Sequence, residues 1–226
     1  MREESLRQYV VMNGDMKSSR KIRNRFDVQE RLKNAIEILN KDFKDSIVAG
    51  FKIVSGDSFQ GMLSSSEHLM DIYYVLFENI EYPFYFGIGI GDISTTLSNN
   101  IEEIDGKAFY LALDALEEAK RRNFWVIIKS DLKDNDVISC LFNFIAERMW
   151  GWSKRQREIV LYYRKHGEHS DTIKSAAMTF AVSERSIYKT LSTARYSLLE
   201  YAESVLRLTL NQKRFKNKIE PKTVQK

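Results

Sequence analysis

The sequence predicts an α+β protein, in which a domain of mixed strands and helices is followed by an all-helical domain. Three observations support this prediction. Short apolar runs typical of strands alternate with helical patterns in the first 130 residues. After residue 136 the apolar residues recur at helical spacing instead. The charge balance also changes, because residues 1–136 carry 18 Lys and Arg against 23 Asp and Glu, whereas residues 137–226 carry 17 against 8.

Length and composition agree with a folded chain of two domains. The protein has 226 residues, of which 43% are hydrophobic, enough for packed cores. Its longest uninterrupted apolar stretches are about five residues, against the roughly 18 that a spanning helix needs, so we expect no membrane insertion. The charged N-terminal segment does not resemble a secretory signal. The single cysteine, Cys140, excludes an internal disulfide and favours a cytoplasmic location.

The first domain is predicted over residues 1–130. Its elements follow the order strand, helix, strand, strand, helix, strand, which matches a ferredoxin-like arrangement. This order predicts an antiparallel sheet with helices on one face, to which a later helix and strand are added. The predicted strands are 9–12, 47–54, 59–63, 83–90 and 124–128. The predicted buried faces are Phe26, Leu32, Ile36 and Leu39 on the first helix, and Phe109, Leu113, Leu116 and Ala119 on the helix after Gly106.

The second domain is predicted over residues 137–210, after a polar linker at 129–136. Helices are expected at 137–149, 153–165 and 171–180, followed by one long helix from Glu184 to about Leu210. Ser153 and Ser183 each precede a helix and can cap its first turn. Residues 211–226 are polar and basic, and we expect them to form a disordered tail.

The helical domain contains the pattern of a helix-turn-helix. Small Ala177 among apolar residues, a turn at Val182-Ser183 and a capped helix with polar outer positions are typical of this motif. It resembles the DNA-binding regions of sigma factors and of response regulators, in which the last helix enters the major groove of double-stranded DNA. The candidates for base contacts are Glu184, Arg185, Tyr188, Lys189 and Ser192, and those for phosphate contacts are Lys154, Arg155, Lys174, Thr190 and Arg195. The alternative is a helical domain that binds a protein.

The long last helix also carries an apolar stripe. In one interpretation the stripe pairs two copies of the chain into a homodimer, which would place two recognition helices on a two-fold-symmetric operator. In the other it packs back on the 137–149 helix. The stripe consists of Leu191, Ala194, Leu198, Ala202, Val205 and Leu206.

Two predicted strands of the first domain end in an aspartate within a turn of Gly and Ser. Such a carboxylate can bind Mg²⁺ and approach phosphate oxygens, so we predict Asp15 and Asp57 as metal ligands. The alternative is that both aspartates bond the backbone of their own turns. No catalytic residue is assigned. The predicted contacts to a small phosphorylated ligand are Gly14, Lys17, Ser18, Ser19, Ser55 and Gly56.

These motifs resemble those of the SatD family. The resemblance rests on Gly14-Asp15 with Ser18, the phrase 52–61, the glycine strand 86–91, Asp105-Gly106 and the helix-turn-helix. More distantly, the first domain is similar to the palm of class III nucleotide cyclases, in which two aspartates bind two metal ions. That resemblance implies a cyclase-palm-like fold and places Asp15 and Asp57 on the metal positions.

The similarity to cyclases stops at the helix after Gly106. Cyclases carry Asn and Arg there to hold the nucleotide and stabilise charge on the phosphate, whereas this sequence has Tyr110 and Asp114. We therefore expect a DNA-binding transcriptional regulator whose palm-like domain senses a nucleotide or another phosphorylated ligand, with or without Mg²⁺. The alternatives are a metal-dependent nucleotidyl cyclase or phosphotransferase, and an adaptor that holds a protein partner.

Overall fold

The computed structural model describes residues 8–18, 24–131, 134–167 and 169–215, with side chains up to residue 211. Within these ranges, no helix combines the length and hydrophobicity that crossing a bilayer requires. The strands are β1 (Tyr9–Met16), β2 (Ile47–Ser55), β3 (Ser58–Leu63), β4 (Phe84–Gly91) and β5 (Val126–Ser130). The helices are α1 (Arg25–Asp42), α2 (Leu69–Ile80), α3 (Lys107–Arg122), α4 (Asn135–Trp150), α5 (Lys154–His166), α6 (Ser170–Thr179), α7 (Glu184–Thr193) and α8 (Tyr196–Phe215).

The five strands form one mixed sheet in the order β2-β3-β1-β4-β5. The first four strands have the ferredoxin-like order, and β1 pairs antiparallel with both β3 and β4. The expectation of a wholly antiparallel sheet is wrong, because β5 pairs parallel with β4. The expectation of one covered face is also wrong, because α3 covers part of the second face. Both differences follow from the crossover through α3, which returns the next strand in the same direction.

Helix α3 lies very close to β4 because glycines of that strand face it. A Cβ atom at Gly87 or Gly89 would lie within 2.3 Å of the α3 backbone. The helix correspondingly buries small side chains, including Ala108 and Ala112. The prediction that Leu113 is buried is wrong, since large side chains do not fit between this helix and a glycine strand.

The opposite face of the sheet is aromatic and connects the two parts of the chain. Phe86 of β4 packs against Tyr73 of α2 with ring centroids 5.9 Å apart, and Tyr73 packs edge-on against Phe142 of α4 at 5.2 Å. Asn143 of α4 donates a hydrogen bond to the carbonyl of Val126 at 2.5 Å. One continuous cluster of buried residues runs from β1 to α8. The first helix after the linker is therefore packed on the sheet.

The predicted long helix from Glu184 is two helices. Arg195 lies between α7 and α8 with φ of 59°, a left-handed conformation that interrupts the helix. Helix α8 then packs on α4, so the interpretation in which the last helix folds back is confirmed. The prediction that a disordered tail begins at residue 211 is wrong for the first positions, because α8 extends to Phe215. Residues 216–226 of that tail lie outside the described residues.

A buried polar cluster fixes the helical part to the sheet part. Glu203 of α8 accepts a hydrogen bond from the hydroxyl of Tyr74 on α2 and pairs with Arg164 of α5 at 2.9 Å. Arg207 of α8 donates two hydrogen bonds, of 2.9 and 2.7 Å, to Asp71 of α2. Burial raises the pKa of Glu203, although Arg164 and Tyr74 act to lower it. The position of the helical part thus depends on paired charges as well as on apolar packing.

Candidate functional site

The residues at the end of β1 belong to one sequence motif but lie on opposite faces of the sheet. Successive residues of a strand point to opposite faces of its sheet. Asp15 faces α3, where Lys120 pairs with its carboxylate at 2.6 Å and Ser58 of β3 donates a hydrogen bond to it. The next residue, Met16, faces α1 and lines a cavity. Adjacent residues of the predicted loop therefore belong to different environments.

Lys17 is held in an aromatic cluster beside Asp15, not in the cavity. Its ammonium lies 3.5 Å from the ring centroid of Trp125 and 4.5 Å from that of Tyr85, and 3.4 Å from the side-chain oxygen of Asn123. Burial lowers the pKa of Lys17 to about 8, although the charge of Glu147 acts to raise it. These contacts occupy the ammonium, so the predicted role of Lys17 as a ligand contact is not supported.

The cavity on the other side opens between α1 and the turn that joins β2 to β3. Its volume is about 370 Å³, within the range of small-ligand sites. Gln29 of α1 donates a hydrogen bond to the carbonyl of Gly56 at 3.5 Å across it. The floor is apolar and consists of Met16, Val28 and Leu32, and the remaining lining residues are Arg25, Phe26, Gln29, Gly56 and Asp57.

The rim of this cavity offers a cation for an anionic ligand. The side chain of Arg25 is 64% exposed, and its guanidinium lies 3.9 Å from the carboxylate of Asp57, which is a loose ion pair. Five of the lining residues, Arg25, Phe26, Val28, Gln29 and Leu32, belong to the first two turns of α1, whose N-terminal end carries the positive end of the helix dipole. Asn24 caps this helix by accepting a hydrogen bond from the backbone of Asp27 at 3.2 Å. The cavity therefore combines an apolar floor with a rim that carries one exposed cation beside one carboxylate.

The two predicted metal ligands have different ionic partners. Asp15 pairs with Lys120 beside α3, whereas Asp57 lies near Arg25 beside α1. Over the part of the chain that the structure describes, no group of three or more His, Cys, Asp or Glu is arranged to hold a metal ion. A Mg²⁺ ion shared by these two carboxylates would have to displace Lys120 from Asp15 and Arg25 from Asp57.

Of the other predicted ligand contacts, Gly56 lines the cavity, with φ of 54°. Gly14 has a packing role instead, because a Cβ there would lie 2.1 Å from the ring of Phe59. The remaining predicted contacts are Ser18 and Ser55, which are exposed, and Ser19, which lies outside the described residues.

The sequence analysis missed Arg25, Phe26 and Gln29 as cavity residues. The prediction that Phe26 belongs to the buried face of α1 is wrong, since this side chain is exposed. The spacing of the apolar residues of α1 could have indicated that Phe26 is exposed. Phe26 precedes Leu32 by six residues, a step that rotates it roughly 120° away from the stripe that continues to Leu39.

The two α3 positions that depart from the cyclase pattern are both engaged with neighbours. The hydroxyl of Tyr110 donates a hydrogen bond to Asp105 at 2.7 Å. Asp114 accepts one from Lys129 of β5 at 2.5 Å, and Lys129 also pairs with Glu118 at 2.9 Å. Asp114 thus balances a cation of the neighbouring strand.

Helices α5, α6 and α7 pack against one another and form a three-helix unit that contains the predicted helix-turn-helix. Ser153 caps α5 and Ser183 caps α7, each accepting a backbone hydrogen bond of 3.2 Å. Ala181, with φ of 51°, lies in the turn between α6 and α7. The buried residues of the unit are Ile159, Val160, Ile173, Ala176, Ala177, Ile187 and Leu191.

The outer face of α7 is open to solvent, as a recognition helix requires. It carries hydrogen-bonding and charged groups along the whole ten-residue helix. Met178, which the sequence analysis missed, is 82% exposed at the end of α6 and lines a hollow of about 350 Å³ beside the start of α7. The exposed residues of this face are the five predicted base contacts, Glu184, Arg185, Tyr188, Lys189 and Ser192.

The predicted phosphate contacts fall into two groups. Within the described part of the chain, Lys154, Lys174 and Arg195 are exposed cations without a hydrogen bond to the backbone of another helix, and Arg155 is exposed as well. Arg155 instead donates a hydrogen bond to the carbonyl at the end of α6, at 2.7 Å. Thr190 donates its hydroxyl to the helix backbone at 2.8 Å. Lys154, Lys174 and Arg195 are therefore less tied to the protein backbone than Arg155 and Thr190 are.

Comparison with known proteins gives a family match over most of the chain. The model of the SatD family matches residues 9–198, which include the sheet and the helix-turn-helix. Among solved structures, a bacterial light-regulated adenylyl cyclase is similar over 57% of this chain and 79% of that chain, with 13% identity and a TM-score of 0.40. No curated protein matches the sequence.

Proposed function

The chain belongs to the SatD family, and we propose that it is a DNA-binding transcriptional regulator whose sheet part binds a nucleotide or another small phosphorylated ligand. The observation that carries the DNA half is the outer face of α7. A capped helix that follows a tight turn presents five polar or charged side chains to solvent, while Ile187 and Leu191 anchor its inner face.

The charges of this region suit a DNA duplex. The major groove is about 12 Å wide and admits a helix, and Arg or Lys side chains bind guanine edges there. Arg185 and Lys189 lie four residues apart on the exposed face of α7, so both can reach one groove. Lys154 and Lys174 lie on the two preceding helices, where phosphates that flank the groove would be contacted.

A binding assay across salt concentrations tests the DNA half. Fluorescence anisotropy with a labelled duplex is expected to show binding at about 50 mM salt that weakens steeply as salt increases. Replacement of Arg185 or Lys189 by Ala is expected to weaken binding by about 1 to 3 kcal/mol, roughly 5- to 150-fold. Lys41→Ala, an exposed lysine at the end of α1, is the matched control and is expected to bind as the wild type does. No binding at about 50 mM salt would contradict the proposal.

The ligand half rests on the cavity beside α1. Its volume of about 370 Å³ suits a nucleoside or a comparable small group, and the apolar floor can accept a planar ring. The guanidinium of Arg25, loosely paired with Asp57, is available for a phosphate. Exposed Phe26 adds an aromatic surface at the rim.

A continuous set of contacts leads from this cavity to the helix-turn-helix. Helix α1 packs on α2, and α2 carries the Tyr74 and Asp71 side chains that bond α8. Arg164 of α5 joins the same cluster. A ligand that shifts α1 would therefore act on the helices that hold α7. Because coupling is reciprocal, DNA would change ligand affinity by the same factor.

Calorimetric titration with inorganic phosphate, ATP and GTP tests the ligand half. We expect binding of at least one of these probes and its loss in Arg25→Ala, because the cation at the rim is removed. Lys33→Ala is the matched control, since Lys33 lies on the same helix but pairs with Glu30 at 2.5 Å. If none of the probes binds, or if Arg25→Ala binds as tightly as the wild type, the cavity is not the phosphate site.

The alternative function is a metal-dependent nucleotidyl cyclase or phosphotransferase. A shared metal site would need the carboxylates of Asp15 and Asp57 to converge, whereas they pair with different cations on different sides of the sheet. Turnover of nucleoside triphosphates with Mg²⁺ or Mn²⁺ that is lost in Asp57→Asn would favour this alternative over a binding-only regulator.

A further inference from the structure

The outer face of α8 carries a row of apolar side chains that is not covered within the described part of the chain. Leu198, Tyr201 and Leu208 are 66%, 67% and 59% exposed, and Val205 between them is half-buried. These four residues define the outer stripe. It lies opposite the inner face of α8, which includes fully buried Leu206.

The outer stripe differs from the stripe that the sequence analysis proposed for a dimer. Of that earlier set, Leu191, Ala194 and Leu206 are buried inside the chain and cannot contact a second copy. Tyr201 and Leu208 take their place. Single exposed apolar residues are normal, but a row on one helix face is the pattern of a helix that pairs with another helix.

The steps of the outer stripe are three, four and three residues, which correspond to the core positions of a two-helix seam. We propose that this face binds the same face of a second copy, with the two α8 helices antiparallel. In that orientation a two-fold axis at the level of residue 203 places Leu198 opposite Leu208 of the second copy, and Tyr201 opposite Val205 of the second copy. Each large ring then meets a small side chain, and both halves of the interface are identical, as two-fold symmetry demands.

The residues that flank the stripe favour self-association. In a two-helix seam these flanking positions face the partner helix and set its choice through their charges. Here they carry no charge, so two copies meet without like-charge repulsion. The flanking residues are Ser197, Ala202, Ser204, Thr209 and Asn211.

Other occupants fit this face less well. The last residues of the chain, 216–226, include Lys216, Lys218, Lys222 and Lys226 but only two aliphatic residues, Ile219 and Val224, so they cannot match a continuous apolar row. A protein partner selected by charge would require charged flanks, which α8 lacks at these positions.

A stable dimer would need more apolar surface than the outer stripe alone. A stable interface buries about 800 Å² on each partner, which is more than four side chains supply. Helix α4, packed against α8, has two further large exposed apolar residues, Val137 and Phe144. A dimer through the outer stripe would therefore need further apolar contacts, for which Val137 and Phe144 are large exposed residues of the adjacent helix.

Molar mass in solution tests the inference without DNA, so that its failure and a failure of DNA binding are separate results. Analytical ultracentrifugation of the wild type is expected to give twice the chain mass of 26.5 kDa. Tyr201→Glu combined with Leu208→Glu is expected to give the monomer with an unchanged circular dichroism spectrum, because both side chains are exposed in a single copy. Met178→Glu, at an equally exposed apolar site on α6, is the control and is expected to stay dimeric.

Disulfide cross-linking tests the orientation. In a Cys140→Ser background, Leu198→Cys and Leu208→Cys are made as separate chains. The antiparallel arrangement predicts that only a mixture of the two chains forms a cross-linked dimer under mild oxidation. A monomeric wild type overturns the proposal, and so does a dimer that persists in the double Glu variant. Cross-linking of Leu198→Cys with itself overturns the antiparallel orientation.

Discussion

The two sides of the sheet at the end of β1 are built from one sequence motif, yet they differ in character. On the α3 side, Asp15 pairs with Lys120, and just beyond the end of the strand Lys17 lies over the ring of Trp125, so both charges are compensated or partly buried. On the α1 side, the cavity is open and Arg25 is only loosely paired. The comparison teaches that residues adjacent in a motif need not share a site, because strand geometry sends neighbours to opposite faces.

Among the variants that test this comparison, Gly14→Ala is expected to change the free energy of unfolding most. If Gly14 has a packing role, the added Cβ collides with the ring of Phe59 and the free energy of unfolding falls by about 1 to 3 kcal/mol. Urea denaturation measures this change. A ligand-binding role would predict little effect on stability without ligand.

Two further variants sharpen the test of Gly14. Gly50→Ala, in β2, is the control, because the nearest atom to its Cβ would be 3.5 Å away. Adding Phe59→Leu to Gly14→Ala is expected to recover part of the lost stability, since the smaller side chain leaves room for the methyl group. An equal loss in Gly50→Ala, or no recovery in the double variant, would contradict the packing explanation.

The same comparison shows what sequence patterns could and could not predict. The order of strands and helices was predictable, because runs such as 47–54 and the capping serines Ser153 and Ser183 act locally. The position at which β1 ends was not predictable from the sequence. The prediction ended this strand at Met12, whereas it continues to Met16 and imposes alternation on the aspartate motif. Pairing with β3 and β4, which is a long-range contact, determines that extension.

The helix-turn-helix was more predictable than the cavity beside α1 for a related reason. Its turn, caps and inner face depend on contacts between residues close in sequence, and all five predicted base contacts lie on the exposed face of α7. The break at Arg195 was not predictable, because the helical spacing continues across it. Packing of α8 on α4 and on the α2 charges decides the chain direction there.

The second prediction concerns Lys17 and the way in which the free energy of unfolding depends on pH. The pKa of Lys17 is about 8 in the folded chain and higher in the unfolded one, so from pH 8 to about 10.5 the unfolded state binds more protons. The free energy of unfolding of the wild type should therefore rise with pH over this range, relative to that of Lys17→Met. The full shift corresponds to about 3 kcal/mol, but Lys17 is only half-buried, so we expect about 1 kcal/mol.

Urea denaturation of both proteins at pH 7.5 and 10 measures this difference, and groups other than Lys17 cancel in the comparison. Lys41→Met, at an exposed lysine, is the control and should follow the wild type. A difference between the wild type and Lys17→Met that stays constant with pH would mean that Lys17 is not buried against its aromatic neighbours.

The smallest effect on stability is expected from Asp57→Asn on the open side. Its partner Arg25 is exposed and 3.9 Å away, so the free energy of unfolding should change by less than about 0.5 kcal/mol. Asp15→Asn weakens a closer pair, at 2.6 Å from Lys120, and should lower the free energy of unfolding by about 1 kcal/mol. Affinity for a phosphate probe discriminates further. Removing a carboxylate about 4 Å from the cationic rim should leave that affinity unchanged or raise it up to about fivefold, because a competing charge is lost. A ligand bridged by a metal ion would give the opposite result, a loss of phosphate affinity in both Asp57→Asn and Asp15→Asn. That result would mean that the two aspartates belong to one site.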